Sequence, residues 1–165
     1  MITVAIVRTI AIFSSGLIAG ILFGDRMGAT FARPALSPSS FLRFQRIQHV
    51  HFARMMPPLT LAAIAGGLGW LIIVRAQWTS SQFWFVAVAT GTMVLAAALT
   101  LRVNIPINNQ LMTWSEEAPP ENMLEIWIRW ERVHTIRTIL WLGAFAFEVI
   151  ALGVLAAANT SANLP

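Results

Sequence analysis

The chain has no cysteine, no tyrosine and, among its eleven basic residues, no lysine. Without cysteine there are no disulfides, no thiolate metal sites and no thiol nucleophile. Without lysine there is no Schiff-base chemistry, and without tyrosine there is no phenolic acid or tyrosyl radical. Charge is scarce too: 11% of the 165 residues are charged and 57% are hydrophobic, against about 25% charged in an ordinary soluble domain. A soluble fold of this size would lack the polar side chains to cover its surface. The composition asks for lipid. Motif chemistry is equally thin, with no glycine-rich nucleotide loop, no His-Glu-x-x-His and no serine triad.

A bilayer core of about 30 Å takes about 20 mostly apolar residues per helix. Four stretches qualify, at residues 2–23, 57–75, 83–101 and 138–158. The first carries Arg8 inside its apolar run and no small-residue cleavage pattern before Asp25, so it reads as a retained span rather than a signal peptide. The expectation is one all-α domain over residues 1–165. It is an integral membrane four-helix bundle with amphipathic interfacial extensions before spans two and four.

Nine arginines fall in the two long connections (Arg26, Arg33, Arg43, Arg46, Arg54, Arg102, Arg129, Arg132 and Arg137), against Arg75 alone in the short one. The positive-inside bias places the long connections in the cytoplasm of a bacterial cytoplasmic membrane, with both termini outside. Trp70, Trp78 and Trp84 suit an aromatic belt on one face, Trp127 and Trp130 on the other. The arginine clusters suit anionic lipid rather than nucleic acid. Gly16, Gly20, Gly24 and Gly28 recur every fourth residue, a stripe that lets another helix approach closely.

An internal repeat is suggested at an offset of 86 residues, where Arg43-Phe44-Gln45-Arg46-Ile47-Gln48 lies over Arg129-Trp130-Glu131-Arg132-Val133-His134 and Pro34 over Pro120. Two units of two spans would then be related by a twofold axis along the membrane normal. Such an axis gathers Gln45, Gln48, Glu131 and His134.

Polar residues sort by helical face. From Phe41 to Met56, the residues Gln45, Gln48, His49 and His51 are read as one side facing a polar interior, with Arg43, Arg46 and Arg54 turned to headgroups or water. On the fourth span Trp130, His134, Arg137, Trp141 and Glu148 fall in a narrow arc. An indole, an imidazole and a guanidinium on one stripe make a floor for a flat phenolic or anionic ligand, because arginine stacks on planar groups and donates a fork of hydrogen bonds. His134 exchanges a proton near neutral pH. Glu148 is a functional candidate because intramembrane carboxylates are rare. Pro106 within Asn104-Ile105-Pro106-Ile107-Asn108 disfavours helix at Ile105, so the chain is expected to break or unwind there and expose Asn104 and Asn108 as caps or amide donors. The three histidines are expected on one membrane face.

Glu131-x-x-His134 matches one element of di-iron bundles, but its repeat partner Gln45-x-x-Gln48 has no imidazole. No cofactor is obvious. A mononuclear metal on His49, His51, His134 and Glu131, or a haem on a histidine pair, stays open.

Taken together, Gln45, Gln48, His49 and His51 before span two, Asn104, Pro106 and Asn108 after span three, and Arg129, Trp130, His134 and Arg137 entering span four resemble the anthrone oxygenase-like (DUF1772) membrane proteins. The resemblance covers most of the chain. It implies oxidation of anthrones to anthraquinones with O₂, a monooxygenase-type oxidoreductase activity on a hydrophobic aromatic molecule. In that reading His134 is the base, helped by Glu131. Arg137 with Asn104 or Asn108 stabilises the enolate, and Trp130, Trp141, Gln45, Gln48, His49 and His51 line the substrate site. A second class stays open: a non-catalytic subunit of a homo-oligomer or larger membrane assembly, seating a partner helix, pigment, haem or lipid on the same polar face. The topology has a direct test. A reporter fused after Pro165 should be active outside the cytoplasm, and cytoplasmic activity there would reverse the orientation.

Overall fold

The computed structural model describes residues 2–162 and is all-helical, with no strand among them. Met1 and residues 163–165, the outer ends of the expected 1–165 domain, lie outside the described residues. Helix α1 covers Ile2–Met27, followed by the short α2 (Ala29–Ala32) and a tight turn Arg33–Ala35. Helix α3 covers Pro38–Val74, α4 Ser81–Leu99, α5 Ile105–Leu111 and α6 Met123–Ala162. Local chemistry sets the starts of α3 and α4. The side chains of Ser37 and Ser80 accept hydrogen bonds from the N–H groups of Ser40 and Phe83 at 3.3 and 3.2 Å, relieving donors that a helix start leaves free. Four helical stretches are long and apolar enough to cross a membrane, and the protein is an integral membrane protein.

The expected second and fourth spans are only parts of the longer helices α3 and α6. With 37 and 40 residues, α3 and α6 are about 55–60 Å long, nearly twice a hydrocarbon core of about 30 Å. Their extensions run on into a helical collar on the side of the long connections. The helices pack in the ring order α1, α3, α4, α6, with α1 against α6 closing it. Helices α3 and α6 therefore lie on one diagonal, the arrangement a twofold between α1–α3 and α4–α6 would give.

Three buried clusters fill the bundle in order. Ala11, Trp70, Val74, Val86 and Ala151 lie towards the short connection. Ile18, Leu22, Met93, Trp141 and Ala144 occupy the middle. Phe41, Leu42, Ile107, Leu111, Trp127 and Trp130 lie in the collar.

One expectation is narrowed and one is corrected. At Pro106 the chain unwinds locally and does not break. Residues Thr100–Asn104 form a π-helical turn that runs straight into α5. The Ile105 N–H bonds the Thr100 carbonyl, five residues back. Proline has no N–H and crowds the carbonyl four residues behind it, and the wider turn absorbs both defects without ending the helix. The glycine stripe is the correction. A side chain at Gly16 would meet the Phe145 ring at 2.9 Å, but at Gly20 and Gly24 it would meet nothing within 4 Å, and at Gly28 only its own helix. Close helix contact is made elsewhere. A Cβ on Gly66 would stand 2.8 Å from the Ala11 backbone, and one on Gly67 2.7 Å from Thr90 Oγ1.

Gly66→Val should therefore cost about 1–3 kcal/mol through overpacking against rigid backbone, and Gly20→Leu should leave stability nearly unchanged. Thermal unfolding in detergent followed by tryptophan fluorescence checks the pair. Equal loss in both variants would contradict the packing described.

Candidate functional site

The densest polar network in the described residues sits where the collar meets the spans, and its centre is Arg33. This guanidinium is 2% exposed. Its Nη2 donates to both carboxylate oxygens of Asp25 at 2.7 and 2.9 Å and to Gln48 Oε1 at 3.0 Å. Its Nη1 donates to Glu131 Oε1 at 2.8 Å and to Thr30 Oγ1 at 3.3 Å. Gln48 Nε2 donates in turn to Asp25 at 2.6 Å, and Thr30 and the Trp127 indole N–H donate to Glu131 at 3.1 and 3.2 Å. The guanidinium also lies over the rings of Trp127 and Trp130, 5.4 and 5.6 Å from their centroids. A planar five-donor cation is the one side chain able to satisfy two carboxylates, an amide and an aromatic face together.

Oδ2 of Asp25, which also accepts from Arg33, faces the imidazole. His134 Nε2 lies 3.1 Å from Asp25 Oδ2, both side chains being buried. The contact has ion-pair distance but poor N–H alignment, so neither ring nitrogen makes a well-directed hydrogen bond. Trp127, Trp130 and His134 form one stacked row along α6, with centroids 4.2 and 4.8 Å apart. Asn104, fully buried by the π-helical turn, donates through Nδ2 to the Trp130 carbonyl at 3.3 Å. Arg137 is one turn beyond His134, largely buried, and within reach of the charge on Asp25. Several buried polar atoms here have no partner in the protein: Gln45 Nε2, Asn104 Oδ1, Trp130 Nε1, His134 Nδ1 and Arg137 Nε.

Of the residues expected from the sequence, Gln48, Glu131, His134, Trp130 and Asn104 are brought together. Arg137 and the buried Gln45 adjoin them, and Asn108 is half-buried one turn along α5. Others stand apart. His51 is exposed and His49 half-buried. Six residues separate Gln45 from His51, about 600° of helical rotation, so the two cannot share a side. The three histidines do not converge. The donor set His49, His51, His134 and Glu131 is not assembled, and no group of three His, Asp or Glu among the described residues is placed to hold a metal. His134 is stacked against Trp130, and His51 lies on the outside.

Trp141 belongs to the middle cluster, away from Trp130. Trp130 lies between Trp127 and His134, so its ring faces are taken and its N–H is what remains to offer. Glu148 is fully buried near mid-bundle, where it accepts a hydrogen bond from Ser15, separate from this network. Arg46 does not face headgroups: it bonds the Trp114 carbonyl and, at 3.1 Å, Glu116. The pseudo-twofold does not extend to the site, since the repeat positions of Asp25 and Arg33 are Leu111 and Pro119.

Asp25, Arg33, Thr30 and Trp127 went unread in the sequence. Arg33 was counted as a loop charge. The usable signal was Asp25, the only acid in an arginine-rich connection.

A four-helix membrane bundle with a buried carboxylate–imidazole pair at one end defines the class of protein. The sequence pattern of the anthrone oxygenase family matches residues 44–147, and the chain belongs to that family. No curated protein and no solved structure shows significant similarity to it. The match takes in Gln45, Gln48, Asn104, Trp130, Glu131, His134 and Arg137, while Asp25 and Arg33 lie outside it.

Removing one partner of a buried ion pair costs about 3–5 kcal/mol. Arg33→Gln, which strands two carboxylates, should accordingly lower stability far more than Arg43→Gln on the exposed face. Comparable thermal unfolding of the two variants would refute the bridging role.

Proposed function

We propose that this protein is a membrane-embedded oxygenase that oxidises a hydrophobic phenolic, anthrone-like substrate with O₂, working at the cytoplasmic side of the membrane. One observation carries the reading. Trp130, stacked on His134, and Arg137, one turn beyond it, each bury an N–H without an acceptor, as does Gln45 one turn before Gln48, and Oδ1 of Asn104 is unpaired. A buried donor without a partner costs about 1–3 kcal/mol, so open donors on and around the helix turn of His134 suit an acceptor-rich ligand that brings some hydroxyl groups of its own. A polyphenolic ketone is such a molecule. Membership of the anthrone oxygenase family supports this reading.

With Nε2 turned to Asp25, His134 Nδ1 is the free basic nitrogen. It takes a proton from the methylene carbon between the substrate's rings, and the electron pair moves onto the carbonyl oxygen. Arg137, Trp130 and Gln45 hold the resulting enolate oxygen by hydrogen bonds. Asn104 Oδ1 accepts from a phenolic hydroxyl, with Asn108 one turn further along. Asp25 stabilises the imidazolium as it forms, the role a buried carboxylate plays behind any catalytic histidine. The carbanion passes one electron to O₂, and the two radicals combine to form a C–O bond. The peroxide then recovers the proton from His134. Loss of the second methylene proton, with cleavage of the O–O bond, gives the ketone and water. O₂ is the oxidant, one atom entering the product and one leaving as water. In this reading no resident cofactor takes part.

His134→Gln keeps hydrogen bonding but has no titratable nitrogen, and should lower turnover on the order of 10²-fold in a protein that still folds. Arg137→Lys keeps the charge but loses the planar fork, and should bind substrate weakly and turn over slowly. The assay is O₂ uptake with an anthrone in membranes containing the protein. Full activity in His134→Gln would sink the base assignment. Oxidation at the same rate in membranes without the protein would remove the reaction altogether.

A further inference from the structure

Helix contacts put residues of different helices at known heights. Gly67 meets Thr90, Gly66 meets Ala11, and Gly16 meets Phe145. Counting towards the collar at about 1.5 Å per residue, Arg54 on α3 and Arg102 beyond α4 both stand about 18–20 Å above the Gly67–Thr90 contact. Arg137 on α6 comes out at the same level, with Arg26 on α1 slightly above it. Each of the four helices thus carries an arginine where its apolar stretch ends. Arg137 turns inward. Arg54 and Arg102 turn outward, and neither has an ion-pair partner among the described residues.

Below each outward arginine runs an apolar pair at seven-residue spacing, which keeps to one helix face, Arg102 itself standing on the π-helical turn above the α4 pair. On α3 it is Leu61 and Leu68, 70% and 48% exposed, and on α4 it is Leu95 and Val88, 51% and 44% exposed. Helix α3 contains no acidic residue. In the collar Asp25 and Glu131 are taken up by Arg33, and Glu116 by Arg46. Among the described residues no carboxylate stands within ion-pair distance of either outward arginine.

We propose that Arg54 and Arg102 form a binding site for anionic phospholipid in the adjoining leaflet. The guanidinium forks take the headgroup phosphates, and the acyl chains lie along the Leu61–Leu68 and Leu95–Val88 pairs. An arginine above an uncovered apolar pair matches a phospholipid in charge and in polarity, group for group. Attraction of basic side chains to an anionic leaflet supplies the preference over zwitterionic lipid. The site is independent of the His134 chemistry.

The test uses the full chain in vesicles of phosphatidylcholine alone and of phosphatidylcholine mixed with phosphatidylglycerol. Lipid retained by the solubilised protein is counted by native mass spectrometry. Phosphatidylglycerol should be enriched about tenfold over its share of the bilayer, and Arg54→Gln with Arg102→Gln should bring it down to that share. Arg75→Gln, at the opposite end of the bundle, should leave the enrichment unchanged. Conservative Arg54→Lys and Arg102→Lys, which keep the charge, should retain part of it. No enrichment in the wild-type protein, or full enrichment in the double glutamine variant, would overturn the site. So would a stable dimer with these side chains buried between two copies.

Discussion

Two carboxylates and an imidazole inside a membrane protein need a cation among them, and Arg33 supplies it. Burying an ionised group without a partner is among the most costly things a fold can do. Asp25 from α1, Glu131 from α6 and Gln48 from α3 all converge on that one guanidinium. Three helices are tied together at the collar by one side chain from the tight turn between α2 and α3. Its second consequence concerns His134. With both oxygens held by Arg33 and Oδ1 also by the Gln48 amide, Asp25 has a fixed orientation and presents Oδ2 to the imidazole. Stability and the proposed chemistry thus rest on the same ion pair.

The level of this network in the membrane follows from the same helix heights that align the boundary arginines. Asp25, Asn104 and Arg137 stand where the apolar stretches end, neither deep in hydrocarbon nor free in solvent. A flat phenolic molecule partitions to that depth, its rings in the acyl region and its hydroxyls among the headgroups. Three of the boundary arginines follow the ordinary pattern of a membrane protein. The fourth, Arg137, points into the bundle, where a cation is expensive unless it meets an anion, and an enolate is such an anion.

Much of the fold was legible because hydropathy over twenty residues reports a span directly. Four spans, long connections rich in arginine and helical extensions before spans two and four all follow from apolar runs and charge counts. What local patterns could not reveal was which arginine folds inward. Arg33 and Arg43 look alike in sequence, and only the packing of Trp127 and Trp130 beneath one of them makes it the buried one. His51 was misread because proximity in sequence was taken for a shared face. The glycine stripe was misread because spacing says that helices can approach, not that they do. At Pro106 the sequence leaves a break and a local unwinding open, and the structure has the second, a π-helical turn that keeps the helix whole. His134, Glu131 and Gln48 were found correctly as a group, but their link through Asp25 and Arg33 is tertiary.

Asp25 and His134 acting as a unit is the central claim, and a double-mutant cycle on turnover addresses it most directly. If Asp25 works through His134, replacing His134 by Gln in an Asp25→Asn background should cost much less than the same change in the wild-type protein, because residues acting together are not additive. Each variant's thermal stability is measured alongside, so that loss of fold is separated from loss of chemistry. Losses in turnover that simply multiply, in proteins of equal stability, would contradict the pairing.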